Sequence, residues 1–133
     1  MKIGVSSTGK DLDAQVDPRF GRCQYFLIID TDTMTFESIS NESAMVSGGA
    51  GIQAAQKVAK LGVKVIITGN VGPNAFQTLS AAGIKVYTGI FGSIKEAVEK
   101  YKKGELSETE AASVGSHFGM RAVGKGFGGG REI

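Results

Sequence analysis

The chain has 133 residues, 41% of them hydrophobic and 21% charged, which is the composition of one globular domain whose core needs no disulfide or structural metal. A net charge of +2 gives no reason to expect binding to nucleic acid or to a membrane, and one cysteine excludes an internal disulfide and a cysteine-only metal site within one chain. No apolar run approaches the roughly 20 residues of a membrane span and no signal peptide opens the chain, so we expect a soluble, cytoplasmic protein.

The first part of the chain predicts three strands. Residues 2–7 form a short apolar run that is typical of a buried strand. Residues 8–23 show no periodicity and are expected to form a long loop. Residues 24–30 predict a second strand, and the alternation over residues 34–40 after a polar turn predicts an antiparallel hairpin.

The middle of the chain alternates helices and strands. Apolar residues recur at helical spacing in three segments, each of which ends close to a glycine. The predicted helices cover about 52–61, 73–82 and 94–102, and the predicted strands cover 63–68 and 84–88. The order β-β-β-α-β-α-β-α indicates an α/β fold, with a mixed sheet and helical crossovers.

The last part of the chain is expected to lie outside the folded domain. Seven of the sixteen residues from 115 to 130 are glycine, and no apolar periodicity survives there. Ser107 and Glu110 could cap one helical turn, beyond which we expect flexibility. We therefore divide the chain into a domain over residues 1–104 and a glycine-rich, flexible C-terminal tail over residues 105–133.

Three glycine motifs do not support nucleotide binding. Residues 4–10 nearly match a phosphate-binding loop, but Asp11 stands where a hydroxyl should bind magnesium and no helix follows. Residues 49–54 fit a relaxed dinucleotide motif without the acidic residue that should follow, and residues 124–129 precede no helix. Two interpretations of residues 47–51 stay open: backbone N–H groups that favour an anion, or a mobile connection.

No combination of residues predicts catalysis. Asp11, Asp13 and Asp17 crowd one loop, but the first strand carries no carboxylate for a two-metal nuclease. Cys23 and His117 would have to form any nucleophile–base pair across nearly a hundred residues, without an orienting acid. We expect a protein that is not an enzyme.

The segment before the second strand contains most of the candidate site residues. Arg19 and Arg22 flank Phe20 and Gly21, and the thiol of Cys23 comes next. The two guanidinium groups could hold an anion and lower the pKa of the thiol. The alternative is that Phe20 fills the core while both arginines pair with Asp13 or Asp17, and a lone cysteine before a strand is itself often a small packed side chain.

Three motifs occur in a specific order and spacing: residues 17–26 (DPRFGRCQYF), 47–51 (SGGAG) and 72–76 (GPNAF). Together they resemble the dinitrogenase iron–molybdenum cofactor biosynthesis family, over residues 1–104. The resemblance implies a ribonuclease H-like, three-layer fold with a five-stranded mixed sheet in the order 3-2-1-4-5. The element order derived from the sequence pattern agrees with that topology.

The resemblance also implies binding or carriage of an iron–sulfur or iron–molybdenum-type cluster, or of its precursor, without catalysis. The partners would be proteins that donate or accept the metallocluster, and the chain would be a monomer or a weak homodimer. Nitrogenase-accessory relatives commonly have histidine where this chain has Arg19, which leaves Cys23 and His117 as candidate metal ligands. A metal-free module that binds small anions or proteins is the alternative. The candidate cofactor-binding residues are Arg19, Phe20, Gly21, Arg22, Cys23, Gly49, Gly51, Gly72 and Asn74.

Overall fold

The computed structural model describes residues 1–110 and 112, and every predicted strand and helix occurs in the predicted order. The strands are β1 Lys2–Ser7, β2 Tyr25–Asp30, β3 Phe36–Ser40, β4 Val65–Ile67 and β5 Lys85–Tyr87, and the helices are α1 Ala50–Lys60, α2 Pro73–Ala81 and α3 Ile94–Lys102. A 3₁₀ turn over Glu42–Met45, which the sequence did not predict, precedes α1. His117 and most of the predicted tail over residues 105–133, namely residues 111 and 113–133, lie outside the described residues.

The five strands form one mixed sheet in the order β3-β2-β1-β4-β5. β1 is central and lies antiparallel to β2. It is parallel to β4, because the chain crosses over through α1 between β3 and β4. The predicted α/β class and strand order are confirmed. The ribonuclease H-like assignment stays a prediction.

Helices cover both faces of the sheet, which gives three layers. Phe26 and Ile28 of β2 pack in one core cluster with α1 and α2, whereas Leu27 and Ile29 pack in a second cluster with α3. Successive side chains of a strand point to opposite faces, so an apolar run such as that of β2 supplies both clusters.

The loop after β1 is fixed against the carboxyl ends of β1 and β4. The backbone N–H of Asp17 donates to the Ser6 carbonyl at 2.8 Å. The Ser6 hydroxyl donates to the Asp17 carbonyl at 2.7 Å and lies 2.7 Å from the hydroxyl of Thr68, which follows β4. These buried contacts hold residues 17–22 over the edge of the sheet at which ligands bind in open α/β folds.

Residues after α3 return to the sheet. The N–H of Thr109 donates to the Val86 carbonyl at 2.7 Å, and the Thr109 hydroxyl accepts from the N–H of Thr88 at 2.9 Å. Residues 107–110, at which Ser107 and Glu110 were expected to cap a helical turn, are not helical. Among the described residues, no helix is long and apolar enough to cross a membrane.

Candidate functional site

A cavity of about 470 Å³ opens at the carboxyl ends of β1 and β4, within the size range of small-molecule sites. Three segments form it: residues 18–22 of the loop after β1, residues 49–52 at the start of α1, and residues 70–75 at the start of α2. The polar side chains in this lining are Arg19, Arg22, Asn70 and Asn74. No acidic residue, cysteine or histidine is among the described residues that line the cavity.

Two helix N-termini meet at this cavity. α1 begins after Gly49 and α2 after Gly72, and no side chain in the described part of the chain caps either N-terminus. Neither first turn carries an acidic residue. Gly49 has φ +72°, a left-handed conformation that glycine adopts readily, and Pro73 occupies a first-turn position without loss of a needed N–H. The free N–H groups and the helix dipoles make this end of the cavity electropositive.

Close backbone approaches require glycine on both sides of the cavity. A Cβ at Gly21 would lie 2.8 Å from the Cα and N atoms of Gly51, and a Cβ at Gly69 would lie 2.6 Å from the Cα of Pro18. Any side chain at these positions would push the loop away from α1 or from the end of β4. The glycines therefore set the distance between the arginine-containing loop and the helix N-termini.

Arg19 is exposed at the cavity and is paired with a buried acid. Its Nε lies 3.4 Å from Oδ1 of Asp17, which also accepts from the Arg19 backbone N–H at 2.9 Å. Asp17 is only 3% exposed, so this carboxylate holds the start of the arginine-containing loop. The predicted pairing with an aspartate of the same loop is confirmed for Arg19.

Arg22 pairs with backbone carbonyls and not with an aspartate. Its Nη1 donates to the carbonyls of Ala44 and Val46, both at 2.7 Å. Phe20, between the two arginines, is 2% exposed and packs on the ring of Phe26 with ring centres 5.2 Å apart. The alternative in which Phe20 fills the core is confirmed, although part of Phe20 also lines the cavity.

Cys23 is fully buried beneath the loop. Its thiol donates to the Phe20 carbonyl at 3.3 Å, and the side-chain amide of Asn41 donates to the Cys23 carbonyl at 2.9 Å. Burial, together with the negative charge of Asp17, raises the pKa of the thiol to about 12. At neutral pH the thiol is protonated and enclosed.

Two expectations about Cys23 are therefore wrong. It does not line the cavity, and its pKa is raised because burial disfavours the thiolate, whereas nearby arginines were expected to lower it. The chain turns Cys23 into the core because its neighbours Arg22 and Gln24 take the exposed positions. In residues 1–110 and 112 no group of three or more His, Cys, Asp and Glu side chains is placed to hold a metal ion, and His117 lies beyond them.

The structure brings the remaining candidate residues together. Those that line the cavity are Arg19, Phe20, Gly21, Arg22, Gly49, Gly51, Gly72 and Asn74. Asn70 was missed: its side chain donates to the Pro18 carbonyl at 3.2 Å, and its own carbonyl accepts from the N–H of Phe20 at 3.2 Å. Asn70 is among the first polar residues after β4, at the carboxyl end of a parallel strand. That position could have identified it as a candidate site residue.

A model of the dinitrogenase iron–molybdenum cofactor family matches residues 1–104. The chain belongs to this family. The expectation from the three motifs is thereby confirmed, and the match covers all five strands and three helices. It includes every segment that lines the cavity.

Two solved structures and one sequence relative are similar to this chain. The apo form of the orange protein from Desulfovibrio gigas is 44% identical with a TM-score of 0.82, over 84% of this chain and 94% of that one. A Thermotoga protein with a provisional NifB designation is 40% identical with a TM-score of 0.71, over 80% and 91% of the two chains. An uncharacterized protein of Methanocaldococcus jannaschii is 32% identical over 99 residues, which are 72% of this chain and 84% of that one.

Proposed function

We propose that this chain binds an anionic iron–sulfur-type metallocluster, or a precursor of one, in the cavity between α1, α2 and residues 18–22. One observation supports this most: two uncapped helix N-termini and two arginines meet at a cavity whose described lining contains no acid. The family relation to the iron–molybdenum cofactor supports a metal cluster as the anion. The cluster is cargo, received from a donor protein and passed to an acceptor protein.

The donors around the cavity fit a cluster that brings its own sulfide or thiolate ligands. Guanidinium groups and backbone N–H groups bind negative charge but do not coordinate iron. The terminal nitrogens of Arg19, the first-turn N–H groups of both helices and the amides of Asn70 and Asn74 are available for such contacts. The apolar parts of the lining, such as Phe20 and Val71, exclude water and strengthen the attraction.

The same donor set supports carriage and not catalysis. The polar side chains that line the cavity are two guanidinium groups and two amides. None of these is among the side-chain types that usually act as general acids or bases, and the Cys23 thiol is buried outside the lining. We propose that the cargo leaves with its composition unchanged.

A metal-free, small-anion-binding module is the second candidate. It is favoured by Arg19, which stands where nitrogenase-accessory relatives commonly have histidine, and by the absence of metal-ligating side chains from the described lining. Helix N-termini and arginines bind oxyanions such as phosphate through the same contacts.

Uptake of a preformed cluster under anaerobic conditions tests the proposal. The purified chain is mixed with a synthetic [4Fe–4S] thiolate cluster dianion, desalted, and analysed for iron, sulfide and visible absorption. We expect retention of the cluster, weakened by salt. Arg19→Gln should reduce the affinity by roughly 10- to 100-fold, since a hydrogen bond to a charged group contributes about 1.5–3 kcal/mol.

Lys95→Gln is the matched control, because Lys95 is an exposed cation on α3, which packs on the opposite face of the sheet. An equal loss in both variants would contradict a specific site. A chain that takes up no cluster but binds phosphate in an Arg19-dependent manner would support the metal-free module. Binding of neither would refute both candidates.

A further inference from the structure

Arg22 belongs both to the cavity and to the contact with the segment that precedes α1. It lines the cavity, and its Nη1 donates to the carbonyls of Ala44 and Val46. A guanidinium group has five N–H donors, and the bonds to Ala44 and Val46 use only the two on Nη1. Nε and Nη2 form one planar edge, which is the geometry that binds an anion through two parallel hydrogen bonds.

The segment that Arg22 holds is anchored at its start and exposed at several later positions. Asn41, at its start, is fixed by its N–H to the Gln24 carbonyl at 2.9 Å and by its amide to the Gly21 carbonyl at 3.1 Å. Beyond Ser43, which is buried, Met45 is 89% exposed and residues 47–49 are exposed as well. The segment also packs against α1, and Ala44 and Val46 are half-buried, but the Arg22 side chain adds the two hydrogen bonds that join it to the arginine-containing loop.

We propose that Arg22 couples occupancy of the cavity to the order of residues 42–48. An anion bound to the Nε–Nη2 edge fixes the guanidinium group, while Nη1 keeps its bonds to the carbonyls of Ala44 and Val46. Fixing a long side chain removes its rotamer freedom, so the segment it holds becomes more ordered when the cavity is loaded. This inference rests on the proposed function, because it needs an anion in the cavity.

The coupling acts in both directions. If a bound anion stabilises residues 42–48, then the ordered segment raises the affinity for the anion by the same factor. The loaded protein then presents the exposed side chain of Met45, which lies between Ala44 and Val46 in the sequence, in a fixed position. Loaded and empty forms differ at this surface, which gives a donor or acceptor protein a means to distinguish them.

Hydrogen exchange of the full chain tests the coupling. Amide exchange is followed by mass spectrometry without anion and at saturation with the same synthetic cluster dianion. We expect exchange in residues 42–48 to slow several-fold on loading, because the N–H groups of Ala44 and Val46 donate within this turn, to the carbonyls of Asn41 and Ser43. Exchange in β1 and β2 should not change.

Two variants separate coupling from binding. Arg22→Lys keeps the positive charge, but its single nitrogen lacks the planar fork, so it should bind the anion with lower affinity and lose the slowing even at saturation. Arg19→Gln should need more anion but show the full slowing at saturation.

Three results would overturn the inference: faster exchange in residues 42–48 on loading, no change in the native chain at saturation, or full slowing in Arg22→Lys. The first two need only the native chain, so they hold even if a variant folds poorly. Failure of the native chain to bind the dianion would instead refute the proposed cluster site, and the coupling with it.

Discussion

We expect the Cys23 thiol to be unreactive in the folded protein. Burial raises its pKa to about 12, and the thiolate is the form that reacts with alkylating agents. We expect iodoacetamide at about pH 8 to leave the native protein unlabelled and to label it fully in denaturant, as measured by mass spectrometry. Rapid labelling of the native protein would show that the thiol is accessible.

The same pKa difference makes stability depend on pH. An unfolded cysteine ionises near its ordinary value of 9.0, whereas the folded thiol stays protonated up to about 12. The unfolded chain therefore loses the proton first, and the stability from this group falls as pH rises from about 9 towards 12, by up to about 1.4 kcal/mol per pH unit. Denaturant unfolding at about pH 8 and pH 10 should show a smaller decrease for Cys23→Ala than for the parent. Equal decreases would contradict a raised pKa.

Substitution of Gly21 tests the close approach between the loop after β1 and α1. Alanine there would place a Cβ 2.8 Å from the backbone of Gly51, so we expect Gly21→Ala to lower the free energy of unfolding by about 1–3 kcal/mol and to weaken anion uptake. Gly48→Ala is the control, because a Cβ at Gly48 meets no atom within 4 Å. Urea unfolding and cluster uptake measure both effects. A Gly21→Ala protein as stable as Gly48→Ala would show that the close approach is not needed.

Strands and helices could be predicted from the sequence where the signal lies in neighbouring residues. The apolar run of β2 and the capping box of Ser93 and Glu96 at α3 mark their elements within a few residues, and both occur. The 3₁₀ turn over Glu42–Met45 has no such mark. Its attachment depends on Arg22, whose partner Ala44 is 22 residues away in the sequence, and periodicity carries no information about such contacts.

The strand order and the place of the cavity follow from general rules for whole domains. A crossover helix makes β1 and β4 parallel neighbours, and ligands bind beyond the carboxyl ends of such strands. From these rules one can predict which loops meet, but not which side chains of a loop face the ligand. Arg22 and Cys23 are adjacent in the chain, yet one lines the cavity and the other is buried in the core.

The glycine-rich end of the chain gives a prediction for the whole molecule. Ordering residues beyond Ser113 would cost about 1–2 kcal/mol per residue in backbone entropy, and they offer few apolar side chains to offset it. We expect a chain that ends at Ser113 to have the same melting temperature as the full chain, by calorimetry. A large decrease would show that these residues pack on the domain and would bring His117 back as a candidate ligand.

The central claim is that the cavity holds an anionic metal–sulfur cluster by charge and hydrogen bonds, without a ligand from Cys23. The most direct measurement is anaerobic gel filtration of the parent and of Cys23→Ala after each is mixed with the synthetic cluster dianion. The substitution should lower the free energy of unfolding by only about 1–2 kcal/mol. Circular dichroism can check that the variant is folded. We predict that iron and visible absorbance elute with both proteins in equal amounts. A cluster that elutes with the parent but not with a folded Cys23→Ala protein would contradict the account.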